Sequence, residues 1–240
     1  MEIGKLESIF PGTTEMAHRM RSFDWSQTVL GLPETWPLNL KTCVRIILTS
    51  RQPMFIWWGE QLIHLYNDGY TAILGAKHPA ALAKPAPAVW SEVWDIAGPR
   101  AEFAMHRDEG TYDEALPFIM LRKGYPEETY VTFSYSPIPD DRGGFGGILC
   151  PASEDTPRII GERQLALLRE LPGRTADARN WGDACRLSAK AMETNPNDLP
   201  FALIYTIDRK GGSASLAAAS GIGDINNATP QKLALDNPGL

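Results

Sequence analysis

The chain has 240 residues, 43% hydrophobic and 22% charged, which allows a packed core in one large domain or two small ones and excludes wholesale disorder. A net charge of -6 and an isoelectric point near 5.3 argue against the basic footprint of a nucleic-acid binder. Arg158, Arg163, Arg169 and Arg174 recur along one stretch, but acidic residues stand among them, as on a solvated helix face.

The opening MEIGKLESIFPGTTEMAHRM lacks the basic, apolar, small-residue order of a secretory signal. Thr13 or Thr14 can cap a short helix carrying Met16, Ala17, Met20 and Phe23 at helical spacing. A Pro- and Gly-punctuated wrap follows, with Trp25, Leu30 and Trp36 as its packing residues. Over residues 38–50, Leu40, Val44, Ile47 and Leu48 make an amphipathic helix stripe. Residues 54–58 and 62–66 are rich in aromatic and β-branched side chains and predict a pair of strands turning at Gly59-Glu60. Residues 70–110 predict short helices bearing Trp90, Trp94 and Phe103, and strands return at 111–121, 128–136 and 146–152. No long crossover helices alternate with these strands, so the expected class is α+β, an antiparallel sheet with helices on one face.

After residue 155 the pattern changes. Ile160, Gln164, Leu167, Leu168 and Leu171 predict a connecting helix over 156–180, and Ala184, Leu187, Ser188 and Ala191 a second helix. Strands are expected at 201–207 and 215–219. Two strands and two helices cannot bury both faces of a sheet, so residues 181–240 read as the front of a further domain. No apolar run approaches the ~20 residues that span a bilayer. Cys43, Cys150 and Cys185 form no CxxC or zinc-spaced set, so neither a disulfide framework nor a metal site is expected, and a cytoplasmic setting is.

The ordered runs FDWSQTVLGLPETWP, SRQPMFIWWG, LIHLYNDGYTAILGAKHPAAL, AVWSEVWDIAGP, GYPEETYVTFSYSPI and GGFGGILCPASEDT resemble the N-terminal PAS module of bacterial sensor histidine kinases, often hybrid ones. GERQLALLRELPGRTADA, DACRLSAKAM and NPNDLPFALIYTID are similar to the opening of the GAF module that follows in those kinases. The resemblance implies a five-stranded antiparallel PAS sheet over residues 53–155 behind a helical extension at 1–52. It also implies an incomplete GAF-like α/β segment at 181–240 and a parent chain continuing into a dimerisation helix and a kinase domain. No phospho-accepting histidine in a long helix and no Gly-rich nucleotide lid occur here, so kinase catalysis would belong to the parent and no catalytic residue is expected. The sequence departs from the pattern at Pro172, where a helix-compatible residue is usual, and at Lys84, where glycine is usual. Proline removes a donor and clashes with the preceding turn, so the connecting helix is expected to bend or break near residues 168–172 instead of running straight into Asp183.

Trp57, Tyr66, Tyr70, Trp90 and Trp94, with polar tips from Asn67, His106 or Ser134, could wall a site for a small, mostly apolar ligand, or could simply fill the core. No cofactor is indicated. His64, His78 and His106 are read as structural; Cys150 lacks the Asn-Cys-Arg setting of a flavin adduct, and it and Cys185 read as buried and unreactive. The Leu40/Val44/Ile47 stripe either forms a homodimer interface or packs on the sheet of its own chain. The functional expectation is a sensory input region, with a ligand-free dimerisation scaffold as the rival.

Overall fold

The computed structural model describes residues 3–141, 143–222 and 229–235. The chain divides into two compact units, Met1–Thr156 and Pro157–Leu240.

The first unit opens with helices α1 (Ile3–Ile9), α2 (Glu15–Ser22) and α3 (Leu38–Thr49). Thr14 caps α2 through its hydroxyl, which accepts from the Ala17 N–H. Between α2 and α3, Pro33 starts a single 3₁₀ turn, and the wrap is fixed by its tryptophans. Trp25 and Trp36 meet edge to face at 4.8 Å, both against Phe10, and their indole N–H groups donate to the Met20 and Gly31 carbonyls.

Strands β1 (Met54–Trp58) and β2 (Ile63–Tyr66) follow, then α4 (Thr71–Leu74), α5 (Ala86–Val89) and α6 (Trp94–Arg107). Strands β3 (Thr111–Met120), β4 (Glu127–Pro139) and β5 (Phe145–Glu154) complete a five-stranded sheet in the order β2-β1-β5-β4-β3. Every pairing in it is antiparallel, as the PAS resemblance implied. β4 runs on past the expected strand end at residue 136, and Pro137 pairs with Ile148. At the outer strand β3 the register slips between Asp113 and Leu116, where Ala115 takes a φ of 48°.

The expectation of helices on one face alone is corrected. All residues of β1 and β2 are buried, on both sides of the pleat. Phe55 and Trp57 look toward Tyr70, Trp90 and Ala97, whereas Trp58 and Ile63 lie with Trp36 and Leu40 of the N-terminal segment. The helical extension thus belongs to the same core as the sheet.

This also corrects the dimer interface expected at Leu40, Val44 and Ile47. All three are 0% exposed within their own unit, so the stripe packs intramolecularly. Each such side chain contributes about 1.5–3 kcal/mol by leaving water, which the sheet supplies without a second copy.

Helix α7 (Thr156–Thr175) leaves β5 directly. As expected, the connecting helix does not run straight into Asp183: it ends at Thr175, and a separate helix opens at Trp181. It does not break within residues 168–172, since α7 continues past Pro172 to Thr175, whose hydroxyl donates to the Leu171 carbonyl. Proline forfeits one backbone bond near the helix end, a local loss that Leu167, buried five residues earlier, helps offset.

In the second unit α8 (Trp181–Met192), capped by Asn180, packs on β6 (Ala202–Ile207) and β7 (Ser213–Ser220). A third strand, β8 (Lys232–Ala234), joins β7, giving the antiparallel order β6-β7-β8. An Arg163–Asp198 ion pair at 2.6 Å ties α7 to the turn before β6. Cys185 and Ala189 are buried, while β6 stays largely half-exposed, with Phe201 and Ile207 open to solvent.

Candidate functional site

One face of the sheet and the helical segment from Tyr70 to α6 enclose a cavity of about 40 Å³. Strand alternation decides who lines it. β4 sends Val131, Phe133 and Tyr135 inward, β1 sends Phe55 and Trp57, and β3 sends Phe118 and Met120. The helical side contributes Tyr70, Ile73, Trp90, Val93 and Ala97. The rings form a continuous stack: Trp57 lies 5.2 Å from Tyr135 and 4.8 Å from Phe55, which lies 4.8 Å from Tyr70. Burial pushes the phenols of Tyr70 and Tyr135 well above their ordinary value, so both stay neutral.

Of the residues singled out from sequence, Trp57, Tyr70 and Trp90 line this cavity. The other five do not. Tyr66 is buried, but its hydroxyl meets His78 Nδ1 at 2.9 Å, and His78 Nε2 meets Glu15 of α2 at 3.1 Å. Asn67 spends its amide on the backbone: Oδ1 accepts from Met54 and Tyr70 N–H, while Nδ2 donates to the Ile47, Ser50 and Gln52 carbonyls. It joins the end of α3, the start of β1 and the turn that presents Tyr70. Ser134 falls between Phe133 and Tyr135 and therefore points to the opposite face of the sheet. Trp94 packs against Trp57 at 5.5 Å and, with the exposed His106, borders a separate open groove. His106 Nδ1 donates to the Glu102 carbonyl in its own helix.

Most of the lining residues that the reading missed, among them Phe55, Phe118, Met120, Phe133 and Tyr135, come from strands, where alternation was the available signal; Ile73, Val93 and Ala97 come from the helical side. His64, read as structural from the sequence, is inside the core. It is fully buried among Phe55, Trp57, Tyr66 and Tyr70, and burial lowers its pKa to about 3. Burial likewise raises the Cys150 thiol well above its ordinary value, so it is no nucleophile at neutral pH. Among the described residues no group of three or more His, Cys, Asp or Glu side chains sits where it could hold a metal ion.

Two charged clusters stand next to the lining residues Trp90 and Met120. Lys77 Nζ lies 4.7 Å over the Trp90 ring and bonds Glu92 at 2.7 Å, and Glu92 accepts in turn from the Leu121 N–H. Burial raises the Glu92 carboxyl, but the Lys77 ammonium and backbone N–H groups outweigh it and hold the group below its ordinary value. One residue on from Leu121, Arg122, itself buried, forks onto Glu154 at 2.6 and 2.7 Å and donates through Nε to Glu127 at 2.8 Å. Its carbonyl accepts from Ala76 N–H, beside Gly75, whose φ is +55° and where any Cβ would lie 2.6 Å from that carbonyl oxygen. Arg122 therefore touches both the turn after α4 and the last residue of β5. Immediately beyond, Asp155 N–H donates to the Tyr130 carbonyl and Thr156 Oγ1 accepts from Tyr130 N–H, so the root of α7 is stitched to β4.

A scan against protein-family models gives no match, and a search of curated proteins gives none either. Solved structures similar to the chain include the PAS domain of a protein from Colwellia psychrerythraea, 12% identical with a TM-score of 0.39, the match covering 49% of this chain and 97% of that one. The PAS domain of BvgS from Bordetella pertussis is 20% identical with a TM-score of 0.33, covering 52% of this chain and 93% of that one. A sensory box sensor histidine kinase from Vibrio cholerae is 11% identical with a TM-score of 0.33, covering 45% of this chain and 80% of that one. The PAS-like architecture of the first unit, a five-stranded antiparallel sheet with helices, is read from its own strand pairing. No described helix is long and apolar enough to cross a membrane.

Proposed function

We propose that the first unit is the sensory input domain of a two-component histidine kinase, with the second unit the front of a GAF-like domain on the way to a kinase region in the parent chain. The observation that carries this is continuity: a cavity walled by sheet and helices, and a buried Arg122–Glu154 fork linking the turn after α4 to the strand that becomes α7. A guest that moves Tyr70 or Ile73 shifts α4, and the Ala76–Arg122 contact carries that shift to the root of α7. In this reading the chain itself catalyses nothing, works in the cytoplasm and pairs with a second copy through surfaces other than the α3 stripe.

Hydrogen exchange on the whole chain tests the coupling. Ala97→Phe fills the cavity from α6, and Lys190→Ala, on α8 in the second unit, serves as a control. Filling is expected to change exchange of the Tyr130 amide and of the first α7 amides at least several-fold, while the control leaves them unaltered. A folded Ala97→Phe protein with unchanged exchange there would refute the sensory reading.

The second reading, a constitutive scaffold with no ligand, is favoured by one observation: at about 40 Å³ the cavity is far smaller than the roughly 300–1,000 Å³ of ordinary ligand sites. A scaffold predicts the unchanged exchange.

A further inference from the structure

On the outside of the first unit an open groove runs between α6, the β1–β2 turn and the start of β5, with a volume of about 870 Å³. Its floor is apolar. Trp94 and Met105 come from α6, Leu62 from the turn, and Phe145, 41% exposed, from the first residue of β5. Trp94 is held from two sides. Its ring packs on Trp57 at 5.5 Å, and it leans over Gly98, where a Cβ would lie 2.8 Å from the indole Nε1. An aromatic floor already fixed in place loses little further freedom when something docks on it.

The rim is acidic. Glu60, Asp95 and Glu102 are exposed there, and none of the three side chains has an ion pair or hydrogen bond among the described residues. No lysine or arginine stands among the described lining residues. Other carboxylates of the unit are matched: Glu92 by Lys77, Asp113 by Arg100, and Glu127 and Glu154 by Arg122. An apolar floor inside an unmatched acidic rim complements a segment that is both basic and apolar. The chain's own net charge of -6 sets a second copy against this rim.

Spacing narrows the partner further. Asp95 and Glu102 both lie in α6, and from their positions in the chain they stand two turns apart on one face, roughly 10 Å along the axis. A polyproline II helix repeats every three residues and rises ~3.1 Å at each, so its residues i and i+3 share one side about 9 Å apart. Aromatic-lined grooves take up that preformed conformation at low entropic cost. We propose that the α6 groove docks a proline-rich segment of a partner protein that carries two arginines three positions apart. The arginines meet Asp95 and Glu102, and the prolines between them lie on Trp94 and Phe145. This docking is independent of whether the buried cavity senses anything.

The test is fluorescence anisotropy of a fluorescein-labelled peptide, Pro-Pro-Arg-Pro-Pro-Arg-Pro-Pro, titrated with the full chain, beside the same peptide with glutamine at both arginine positions. The arginine peptide is expected to bind at least ten-fold more tightly and to shift the Gly98 amide in ¹H–¹⁵N spectra. Asp95→Asn combined with Glu102→Gln removes charge from exposed side chains that bond nothing in the fold, and should weaken binding at least ten-fold. Gly98→Ala introduces a better helix former yet pushes the Trp94 indole off its seat, and should weaken binding at least three-fold. Should Gly98→Ala fail to fold, the double variant alone decides. Equal affinity for the two peptides, undiminished binding by the double variant, or no binding of the arginine peptide at millimolar concentration overturns the proposal. A dimer in sedimentation that the double variant dissolves overturns it too, since the groove then belongs to a second copy.

Discussion

Replacing Arg122 by alanine removes the shared partner of two carboxylates that stay where the sheet put them. Arg122 and Glu127 side chains are 7% and 9% exposed and Glu154 23%, so water replaces the guanidinium poorly at Glu127 and only in part at Glu154. Breaking a buried ion pair from one side costs about 3–5 kcal/mol, because the remaining charge is left uncompensated. For a unit of this size that lowers the melting temperature by roughly 6–20 °C. Trp181 is the single tryptophan beyond the first unit, so intrinsic fluorescence during thermal or urea unfolding follows mainly the unit that holds Arg122.

The same variant has a pH signature. The Arg122 bond holds the Glu154 carboxyl below 4.5; for Glu127 burial pulls upward, yet Arg122 outweighs it and that group is also lowered. Carboxyls depressed in the folded state contribute stability that is complete above the unfolded value of 4.5 and lost as pH falls through the lower folded values. The gap between parent and Arg122→Ala should therefore be widest at neutral pH and close as pH drops below about 4.5. A loss under 1 kcal/mol at pH 7, or a gap that stays constant down to pH 3.5, would refute the account of Arg122 as a buried charge clamp.

Asn67→Ala leaves the Met54 N–H buried without its acceptor, at a cost of about 1–3 kcal/mol, while the Tyr70 N–H keeps the Asn67 backbone carbonyl; urea unfolding should show a loss of at least about 1 kcal/mol, with the Met54 amide exchanging faster. Val44→Glu places a carboxylate in a fully buried position of α3. It should abolish cooperative unfolding, and a folded variant with altered mass in sedimentation would restore the interface reading.

The sheet and its helices were legible because aromatic and β-branched runs separated by turn residues leave few other options, and because Thr14 caps α2 where helical spacing begins. The double coverage of β1 was also written in the sequence: MFIWW is apolar at every position, whereas a strand with one open face alternates. Ser134 shows the limit of picking polar residues by proximity in sequence, since one step along β4 moves a side chain to the other face. Asn67 was found by type but not by role. Five backbone partners drawn from residues 47–70 meet at one amide only after the chain has turned, and no local pattern encodes that. The Arg122 fork lay hidden for the same reason, with 32 residues separating it from Glu154.

The two rims of the five-stranded sheet bear on solubility. β2, the rim at one end, is short and already occupied: His64 N–H donates to the Lys84 carbonyl, Ala83 N–H to the His64 carbonyl, and Ala86 N–H to the Leu62 carbonyl. β3, the rim at the other end, carries exposed Tyr112 and Ile119, which in a flat strand would invite a neighbouring molecule to add its own. The register slip at Ala115 and the missing donor of Pro117 interrupt the ladder between them. Straightening β3, for instance by Pro117→Val with Ala115 deleted, would expose an unbroken template for chain-to-chain stacking, so these two residues guard the protein against its own copies.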